Sequence, residues 1–214
     1  MNSWPRNKFG FQAPGLLRFE WLFHAFGTID SEVPPGPLAS VRQVHSASVI
    51  RAASAGVQGE GDALITAAPD LFLGIRTADC FPVLIADRRT HAVAAVHAGW
   101  RGVAGGIVPA TVRALQAGFG SAVEDLQIAI GPGIGACCFE VGPEVAAQFQ
   151  RQGRIHLDLA AEIAAQCKTL GVSAAKIETS HLCTFCHAPE FFSYRRQGAA
   201  AGRMVSVIGA ARHK

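Results

Sequence analysis

The sequence predicts an α/β fold in which a mixed sheet, or two packed sheets, is covered by outer helices. Short runs of β-branched and aromatic residues follow one another along the chain, whereas helical spacing occurs in only three segments. A doubly wound parallel sheet requires strands that alternate strictly with helices, so it fits this order less well.

Eight segments have the composition of strands, with turn residues at their ends. In chain order they are residues 17–23, 63–66, 71–76, 83–86, 92–96, 126–130, 176–179 and 204–208. The connection 28–37 is rich in proline, which predicts an extended loop. A domain boundary there would leave an N-terminal piece too small to fold, so we expect one domain over residues 1–214.

Three segments have apolar residues at helical spacing, namely 103–117, 143–150 and 157–170. Pro143 suits the first turn of a helix, where its missing N–H would have no partner. In the last segment Leu159, Ile163 and Cys167 recur every four residues, and Gly171 is a suitable end. We expect these helices to lie on the outside of the sheets.

The composition excludes several classes of protein. Hydrophobic residues make up 50% of the 214 and charged residues 16%, as in a compact domain with a substantial core. The net charge of +3 comes from scattered basic residues, so we expect no nucleic acid partner. No apolar run approaches the roughly 20 residues of a membrane span, and residues 1–6 do not start a charged segment followed by a long apolar core, so we expect neither a membrane partner nor a secretory leader. We expect a cytoplasmic monomer or weak homodimer with reduced cysteines.

Polar clusters stand at three points where strands are expected to end, and they contain His45, Cys80 and His97. One thiolate and two imidazoles suit zinc and leave a fourth position for water or substrate. Because the three residues match no short metal motif, a bland alternative stays open. In this alternative the three residues are structural, with both histidines hydrogen-bonded to the backbone and Cys80 a buried thiol.

A second group of candidate metal ligands is local, because Cys183 and Cys186 form a Cys-x-x-Cys with a histidine on either side. A zinc knuckle draws its ligand pairs from two separated segments, and no second Cys-x-x-Cys exists. We interpret the pair as partly buried thiols, with a closed metal site or a reversible disulfide as alternatives. Cys137 and Cys138 follow a glycine-rich segment that predicts either a turn or a cradle for an anion.

Arginines near these clusters are candidates to bind an oxyanion. A planar guanidinium binds phosphate through two hydrogen bonds at once, and Arg101 follows His97 by four residues. Arg76 and the pair Arg195-Arg196 are the other candidates. Solvated or strand-capping side chains are the alternative interpretation.

Two aspartates are candidate acids or bases. Asp79 is the immediate neighbour of Cys80, and Asp62 precedes the strand expected at 63–66. A carboxylate beside a metal or a substrate can carry a proton between reacting groups. We therefore expect Asp79 or Asp62 to move the proton in any reaction at this site.

Several motifs in the same order resemble those of one family, the laccase-domain or multicopper polyphenol oxidase family, whose members are described as purine nucleoside phosphorylases. The resemblance runs from His24 to the C-terminus. Its motifs are Gln43-Val44-His45, Gly61-Asp62-Ala63-Leu64-Ile65-Thr66, Thr77-Ala78-Asp79-Cys80-Phe81-Pro82-Val83, Val96-His97-Ala98-Gly99-Trp100-Arg101-Gly102, Gly131-Pro132, Cys138-Phe139-Glu140-Val141-Gly142 and Phe191-Phe192-Ser193-Tyr194-Arg195-Arg196.

The resemblance implies a four-layer α/β/β/α fold in one domain, shared with a deamidating toxin whose active site is Cys and His. It implies a catalytic zinc held by His45, Cys80 and His97. It also implies phosphorolysis of adenosine, inosine and S-methyl-5′-thioadenosine to the base and a ribose 1-phosphate, with deamination of adenosine. In that chemistry we expect Arg101 to hold phosphate, with Arg76, Arg195 and Asp62 also near the substrate.

The chain departs from the family between residues 28 and 42, where members usually carry a longer segment. Part of the pocket wall is therefore expected to be absent. Cys186 and His187 are also not features of the family.

Three other functions stay open. A Cys-His hydrolase or amidase acting on cell-wall peptides would use Cys80 as nucleophile and His97 as base, without metal. A copper-binding polyphenol oxidase is favoured by the older family name, although the eight histidines include no His-x-His pair. A non-enzymatic binding protein is the third.

Overall fold

The computed structural model describes residues 4–34 and 36–211. Strands dominate this part of the chain and are short, as expected. In order they are β1 Arg6–Asn7, β2 Gly10–Phe11, β3 Leu22–Phe26, β4 Leu38–Arg42, β5 Val49–Arg51, β6 Gly56–Glu60, β7 Ala63–Thr66, β8 Phe72–Thr77, β9 Phe81–Asp87, β10 Val93–Ala98, β11 Leu126–Ile130, β12 Glu140–Val141, β13 Ile155–His156, β14 Ile177–Thr179 and β15 Met204–Ala210.

The α-helices are fewer and lie mainly in the second half of the chain. They are α1 Trp100–Ala104, α2 Ile107–Phe119, α3 Pro143–Gln148, α4 Leu159–Thr169 and α5 Tyr194–Gln197, with single 3-10 turns at Leu16–Arg18, Val123–Asp125, Ala174–Lys176 and Gly198–Ala200. In the described ranges, no helix combines the length and the apolar character needed to traverse a membrane.

The strands form two mixed sheets and one small ribbon. The larger sheet has the order β1-β2-β3-β15-β8-β4-β6, and the smaller has the order β14-β11-β9-β10-β7-β5. Strand β4 is parallel to β6 and β8, β11 is parallel to β14, and β5 is parallel to β7. The other pairs in both sheets are antiparallel. The prediction of an α/β fold with mixed sheets is confirmed.

The central strand β9 shows how the layers meet, because it is buried along its whole length. Its side chains alternate between two apolar cores. Leu84 and Ala86 belong to the core between the two sheets, whereas Val83 and Ile85 belong to the core under the helices. Helices α1, α2 and α4 contact the strands of the smaller sheet on that side.

Most predicted elements differ from the structure by one or two residues at their ends, and two differ by more. In the segment 17–23, Leu16 and Leu17 both donate their N–H groups to the carbonyl of Ala13, which closes a 3-10 turn before β3 begins. The segment 103–117 is two helices, because Gly106 has a φ of +78 and starts α2 afresh. This break leaves α1 as a separate short helix at the end of β10.

The sequence analysis missed β6, as it missed the short strands β1, β2, β5, β12 and β13, and the composition of β6 explains its case. Strand β6 lies at the edge of the larger sheet and is largely exposed, with glycines at positions 56 and 59 that have φ values of +97 and +126. A polar, glycine-containing edge strand lacks the alternating apolar residues that identify strands.

His24 in β3 makes the stability of the fold sensitive to acid. Its ring is fully buried, its Nε2 accepts a hydrogen bond from the N–H of Ala13 at 2.9 Å, and its Nδ1 has no partner among the described residues. Burial lowers the pKa of His24 to about 4, from 6.5 in an unfolded chain. On acidification the unfolded chain takes up the proton first, so stability falls between pH 6.5 and pH 4.

We expect the substitution His24→Gln to reduce this acid sensitivity. The wild-type protein should lose about 2 to 3 kcal/mol more free energy of unfolding than H24Q between pH 7 and pH 4.5, because only the histidine titrates there. Denaturant unfolding at the two pH values measures the difference, and other groups cancel because both proteins carry them. Equal losses in the two proteins would show that His24 is protonated without penalty.

Candidate active site

Three separate segments bring His45, Cys80 and His97 together at one end of the smaller sheet. His45 lies in the loop after β4, Cys80 lies in the turn before β9, and His97 is in β10, next to β9. The ligand atoms of the three side chains all lie within 4.8 Å of one another. The structure thus supplies the convergence that spacing in the sequence left open.

The backbone around these residues is strained at two positions. His45 has a φ of +60 and Asp79, next to Cys80, has a φ of +79. Left-handed conformations of non-glycine residues cost about 1 to 3 kcal/mol and persist where the surroundings hold them. Gln43 holds the first loop, because its side-chain amide donates to the carbonyl of Arg76 and accepts from the Arg76 N–H, at 2.8 and 2.9 Å.

Asp62 is the buried centre of this arrangement. Its carboxylate contacts Nδ1 of His97 at 2.8 Å and accepts from the N–H groups of His45 and Ser46 at 3.0 and 2.6 Å. It also accepts from the hydroxyl of Ser46 at 2.8 Å. Because Asp62 occupies Nδ1, the Nε2 of His97 is the nitrogen left for a metal or a substrate.

The charges of the site shift the pKa values of both histidines. Burial alone would lower the pKa of His97, but the hydrogen bond to Asp62 and the interaction with Cys80 raise it to about 9. Desolvation lowers the pKa of His45, and the positive charges of His97, Arg101 and Arg203 lower it further, against Asp62. Burial alone would raise the pKa of Asp62, but the hydrogen bonds from His97 and Ser46 outweigh burial and hold this pKa well below the usual range.

The three donor atoms fit a metal ion of the zinc type, and the backbone of Gly99 lies close to two of them. A Cβ atom at position 99 would lie 3.0 Å from Sγ of Cys80 and 3.1 Å from Nδ1 of His45. A thiolate and two imidazoles from distant segments are a donor set that zinc uses in catalytic sites. The residues therefore fit the metal that the resemblance implied.

We expect Gly99→Ala to weaken metal binding by about tenfold or more, because the added methyl group pushes two donor atoms out of place. Competition with a chromogenic chelator measures the zinc affinity. Gly118→Ala in α2 is the matched control, since its Cβ would only touch Ile65 at 3.8 Å. Unchanged zinc affinity in G99A would mean that these atoms do not hold the metal.

A cavity of about 960 Å³ opens next to the three residues. Arginines from several elements contribute to its wall, together with the aromatic rings of Trp100, Phe139 and Tyr194. Of the arginines predicted from sequence, Arg76, Arg101 and Arg195 line the cavity. Arg42 and Arg203 also line it and were missed by the sequence analysis.

The five arginines differ in what their guanidinium groups contact. Arg42 pairs with Glu60, Arg203 bonds to the carbonyls of residues 201 and 202, and Arg195 bonds to the carbonyls of Cys138 and Glu140. Among the described residues, the guanidinium groups of Arg76 and Arg101 have no hydrogen-bond partner, and that of Arg101 lies over the ring of Trp100 at 4.3 Å. These two are available to bind an anion.

The two candidate aspartates differ in position. Asp62 is fully buried and is not among the residues that line the cavity, so its effect on a substrate would pass through His97, and its direct contact with a substrate stays a prediction. Asp79 lines the cavity, but its oxygens already accept hydrogen bonds from Thr184 Oγ1 at 2.6 Å, Ser193 Oγ at 3.0 Å and the Arg195 N–H at 2.6 Å. These bonds favour a positioning role for Asp79 over proton transfer.

The sequence contains no second Cys-x-x-Cys, but the structure places two adjacent cysteines beside the first. Sγ atoms of Cys137, Cys138, Cys183 and Cys186 lie within 4.8 Å of one another. Two adjacent cysteines on one loop complete the Cys-x-x-Cys of the other, a pairing that no spacing rule contains. In the structure all six cysteines are free of disulfides.

Fold and site together define an α/β protein of two packed mixed sheets with a Cys-His₂ centre beside an arginine-rich cavity. The chain belongs to the family described as Multi-copper polyphenol oxidoreductase laccase, whose match covers residues 27–211. The family resemblance of the sequence motifs is thereby confirmed.

Several curated relatives carry enzyme names, among them the following three. The purine nucleoside phosphorylase of Bacteroides thetaiotaomicron is 41% identical over 161 residues, which are 69% of this chain and 60% of that protein. That of Deinococcus radiodurans is 40% identical over 82% of this chain and 71% of its own length. Adenosine deaminase RL5, from an unknown prokaryotic organism, is 38% identical over 69% of this chain and 61% of that protein.

Solved structures show the same fold. YlmD from Geobacillus stearothermophilus matches with a TM-score of 0.86 at 26% identity, over 99% of this chain and 97% of that one. The Bacillus licheniformis protein YfiH matches with a TM-score of 0.77 at 30% identity, over 80% of this chain and 73% of that one.

Proposed function

We propose that this chain is a zinc-dependent purine nucleoside phosphorylase that also deaminates adenosine. The observation that carries the proposal is that one cavity is lined both by the Cys-His₂ centre and by Arg76 and Arg101. A metal centre and an anion site next to each other suit a reaction between a nucleoside and phosphate. The names of the relatives from Bacteroides and Deinococcus support the same reaction.

The substrates we propose are adenosine, inosine and S-methyl-5′-thioadenosine. A cavity of about 960 Å³ is large enough for a nucleoside with a phosphate ion beside it. The rings of Trp100, Phe139 and Tyr194 supply flat apolar surface for a purine. In phosphorolysis a phosphate oxygen forms a bond to C1′ as the bond from C1′ to N9 breaks, and the purine takes up a proton.

The chain's own residues would orient this reaction. Arg101 and Arg76 would hold phosphate and compensate its charge, with the guanidinium of Arg101 kept in place by the Trp100 ring. Asp62 would keep His97 in the tautomer that directs Nε2 to the metal position. When bound, zinc supplies Lewis acidity and makes water nucleophilic near neutral pH, which suits deamination at C6 of adenine.

Chromatography of the products tests the proposal. Zinc-loaded protein is incubated with adenosine, with and without phosphate, beside the His97→Ala variant. We expect adenine that depends on phosphate, and inosine that does not, both lost in H97A. Formation of neither product by metal-loaded protein would contradict the proposal. Oxidation of a phenolic substrate by oxygen that follows the copper content of the protein would support the oxidase alternative, since copper binds nitrogen and sulfur donors more tightly than zinc.

We expect Arg101→Gln to raise the KM for phosphate by about 10- to 100-fold, because a charge-assisted hydrogen bond pair is lost. Deamination, which uses no phosphate, should fall much less, so the ratio of inosine to adenine should rise. Arg113→Gln on the exposed side of α2 is the control, because Arg113 does not line the cavity. An unaltered KM for phosphate in R101Q would assign the phosphate site elsewhere.

A cysteine hydrolase is the second candidate, and one observation favours it. The Cys80 thiol and a ring nitrogen of His97 lie within 4.8 Å of each other, and the His97 ring contacts Asp62 at 2.8 Å, which is the order of nucleophile, base and orienting carboxylate in covalent catalysis. This candidate predicts rapid alkylation of Cys80 by iodoacetamide in metal-free, active protein. Loss of alkylation on addition of zinc, together with gain of phosphorolysis, would favour the phosphorylase.

A further inference from the structure

Four cysteines gather on two loops and form a cluster separate from the Cys-His₂ centre. Cys137 and Cys138 lie in the loop after β11, and Cys183 and Cys186 lie in the loop after β14. Their Sγ atoms all lie within 4.8 Å of one another. The proposed phosphorylase reaction uses none of these thiols.

The distances between the sulfur atoms are those of a metal site. Sγ of Cys186 lies 3.4 Å from Sγ of Cys138 and 3.8 Å from Sγ of Cys137. Four sulfur atoms at about 2.3 Å from a central zinc are about 3.8 Å apart at the corners of a tetrahedron. A disulfide would bring two of them to about 2.05 Å, and all four thiols are free.

The backbone of both loops is arranged around the sulfur atoms. The N–H of Gly135 donates to Sγ of Cys183 at 3.3 Å, the kind of bond that orients thiolate ligands. The N–H of Cys138 donates to the carbonyl of Gly135 at 2.9 Å and closes the turn that carries the adjacent cysteines. Gly133 and Thr184 join the loops through a backbone hydrogen bond of 3.0 Å.

We propose that Cys137, Cys138, Cys183 and Cys186 bind one zinc ion in a closed tetrathiolate site. Four S–H bonds are replaced by four bonds from sulfur to zinc, and the thiol protons pass to water. With four protein ligands and no open position, the site is structural, in contrast to the Cys-His₂ centre.

The role of this second site follows from what the two loops carry. The first loop brings Phe139 to the cavity wall, and the second is followed by Tyr194 and Arg195. Arg195 bonds to the carbonyl of Cys138, and Arg196 bonds to the carbonyls of Thr184 and Phe185. A metal ion between the loops fixes this side of the cavity, because neither loop has a regular element at the cysteines.

Metal analysis of variants tests the proposal independently of catalysis. The triple variant His45→Ala, Cys80→Ser, His97→Ala lacks the first donor set, and we expect it to retain one zinc per chain. Adding Cys138→Ser and Cys186→Ser to the triple variant should abolish this zinc binding. Adding Cys167→Ala to it, at a buried cysteine of α4 outside both clusters, should leave the zinc bound. Cobalt in the triple variant should show the intense charge-transfer absorption of several thiolates. A triple variant that folds but binds no metal would overturn the proposal.

A second measurement uses the wild-type protein and needs no variant. Cys137 and Cys186 are exposed, so metal-free protein should react with iodoacetamide at both, as peptide mapping detects. Zinc should slow their alkylation at least tenfold, and protection of Cys80 in the same maps reports the other site separately. Equal rates with and without zinc, or a reduced protein that oxidises to a Cys138–Cys186 disulfide despite bound zinc, would contradict the tetrathiolate site.

Discussion

Replacement of Asp62 by alanine should both destabilise the protein and weaken its metal binding. We expect a loss of about 3 to 5 kcal/mol in the free energy of unfolding, because the substitution leaves His97 and several buried donors without their acceptor. We also expect zinc to bind about 10- to 100-fold more weakly, since the His97 ring loses its orienting partner. Denaturant unfolding and chelator competition measure the two effects.

Asp87 offers a matched control for Asp62. It is also a fully buried carboxylate, but it stands at the opposite end of β9 from Cys80 and accepts from the N–H groups of Arg89 and Thr90. Asp87→Ala should lower stability and leave zinc affinity unchanged. If both variants lower zinc affinity equally, the effect of Asp62 is general destabilisation and its specific role is refuted.

Two substitutions at Asp79 should separate positioning from proton transfer. Asp79→Ala removes the acceptor for Thr184, Ser193 and Arg195 and places alanine at a φ of +79, so we expect a loss of about 3 kcal/mol or more. Asp79→Asn keeps one acceptor oxygen and tolerates this φ, and the hydroxyl of Thr184 can rotate to accept from the amide. We expect D79N to keep most of the stability.

The activity of D79N then decides the role of this carboxylate. A positioning residue predicts a kcat within about tenfold of wild type, because the loops around Cys80 stay in place. A proton-transfer residue predicts a fall of about 10²- to 10⁴-fold with normal stability, since an amide cannot titrate. The pH dependence of kcat provides the additional readout, because only the loss of an essential acid or base removes a limb from the profile.

The sequence predicts an element well where its residue types have a strong preference for one local structure. The apolar strands 63–66 and 126–130 were predicted at their observed bounds. The ligand candidates were identified because polar residues stood at the ends of apolar runs. The break at Gly105-Gly106 was missed because apolar spacing continues across it, and only the positive φ of Gly106 reveals it.

Features that depend on distant contacts could not be predicted from periodicity. Asp62 is 35 residues from His97 in the chain, and its carboxylate faces inward because Val44, His45 and Ser46 direct N–H groups at it. The cysteine cluster joins two loops 48 residues apart through Cys138 and Cys186. Turns of the backbone bring these distant residues together, and amino-acid composition indicates such turns only weakly.

The position of β15 constrains the order in which the molecule assembles. The last strand of the described ranges lies in the interior of the larger sheet, between β3 and β8, and pairs with both along most of its length. During synthesis, β3 and β8 therefore present open edges until residues 204–210 have emerged from the ribosome. We expect the larger sheet to form late and slowly, because its central pairings span most of the chain. A nascent chain that stalls before β15 would be a substrate for chaperones and proteases.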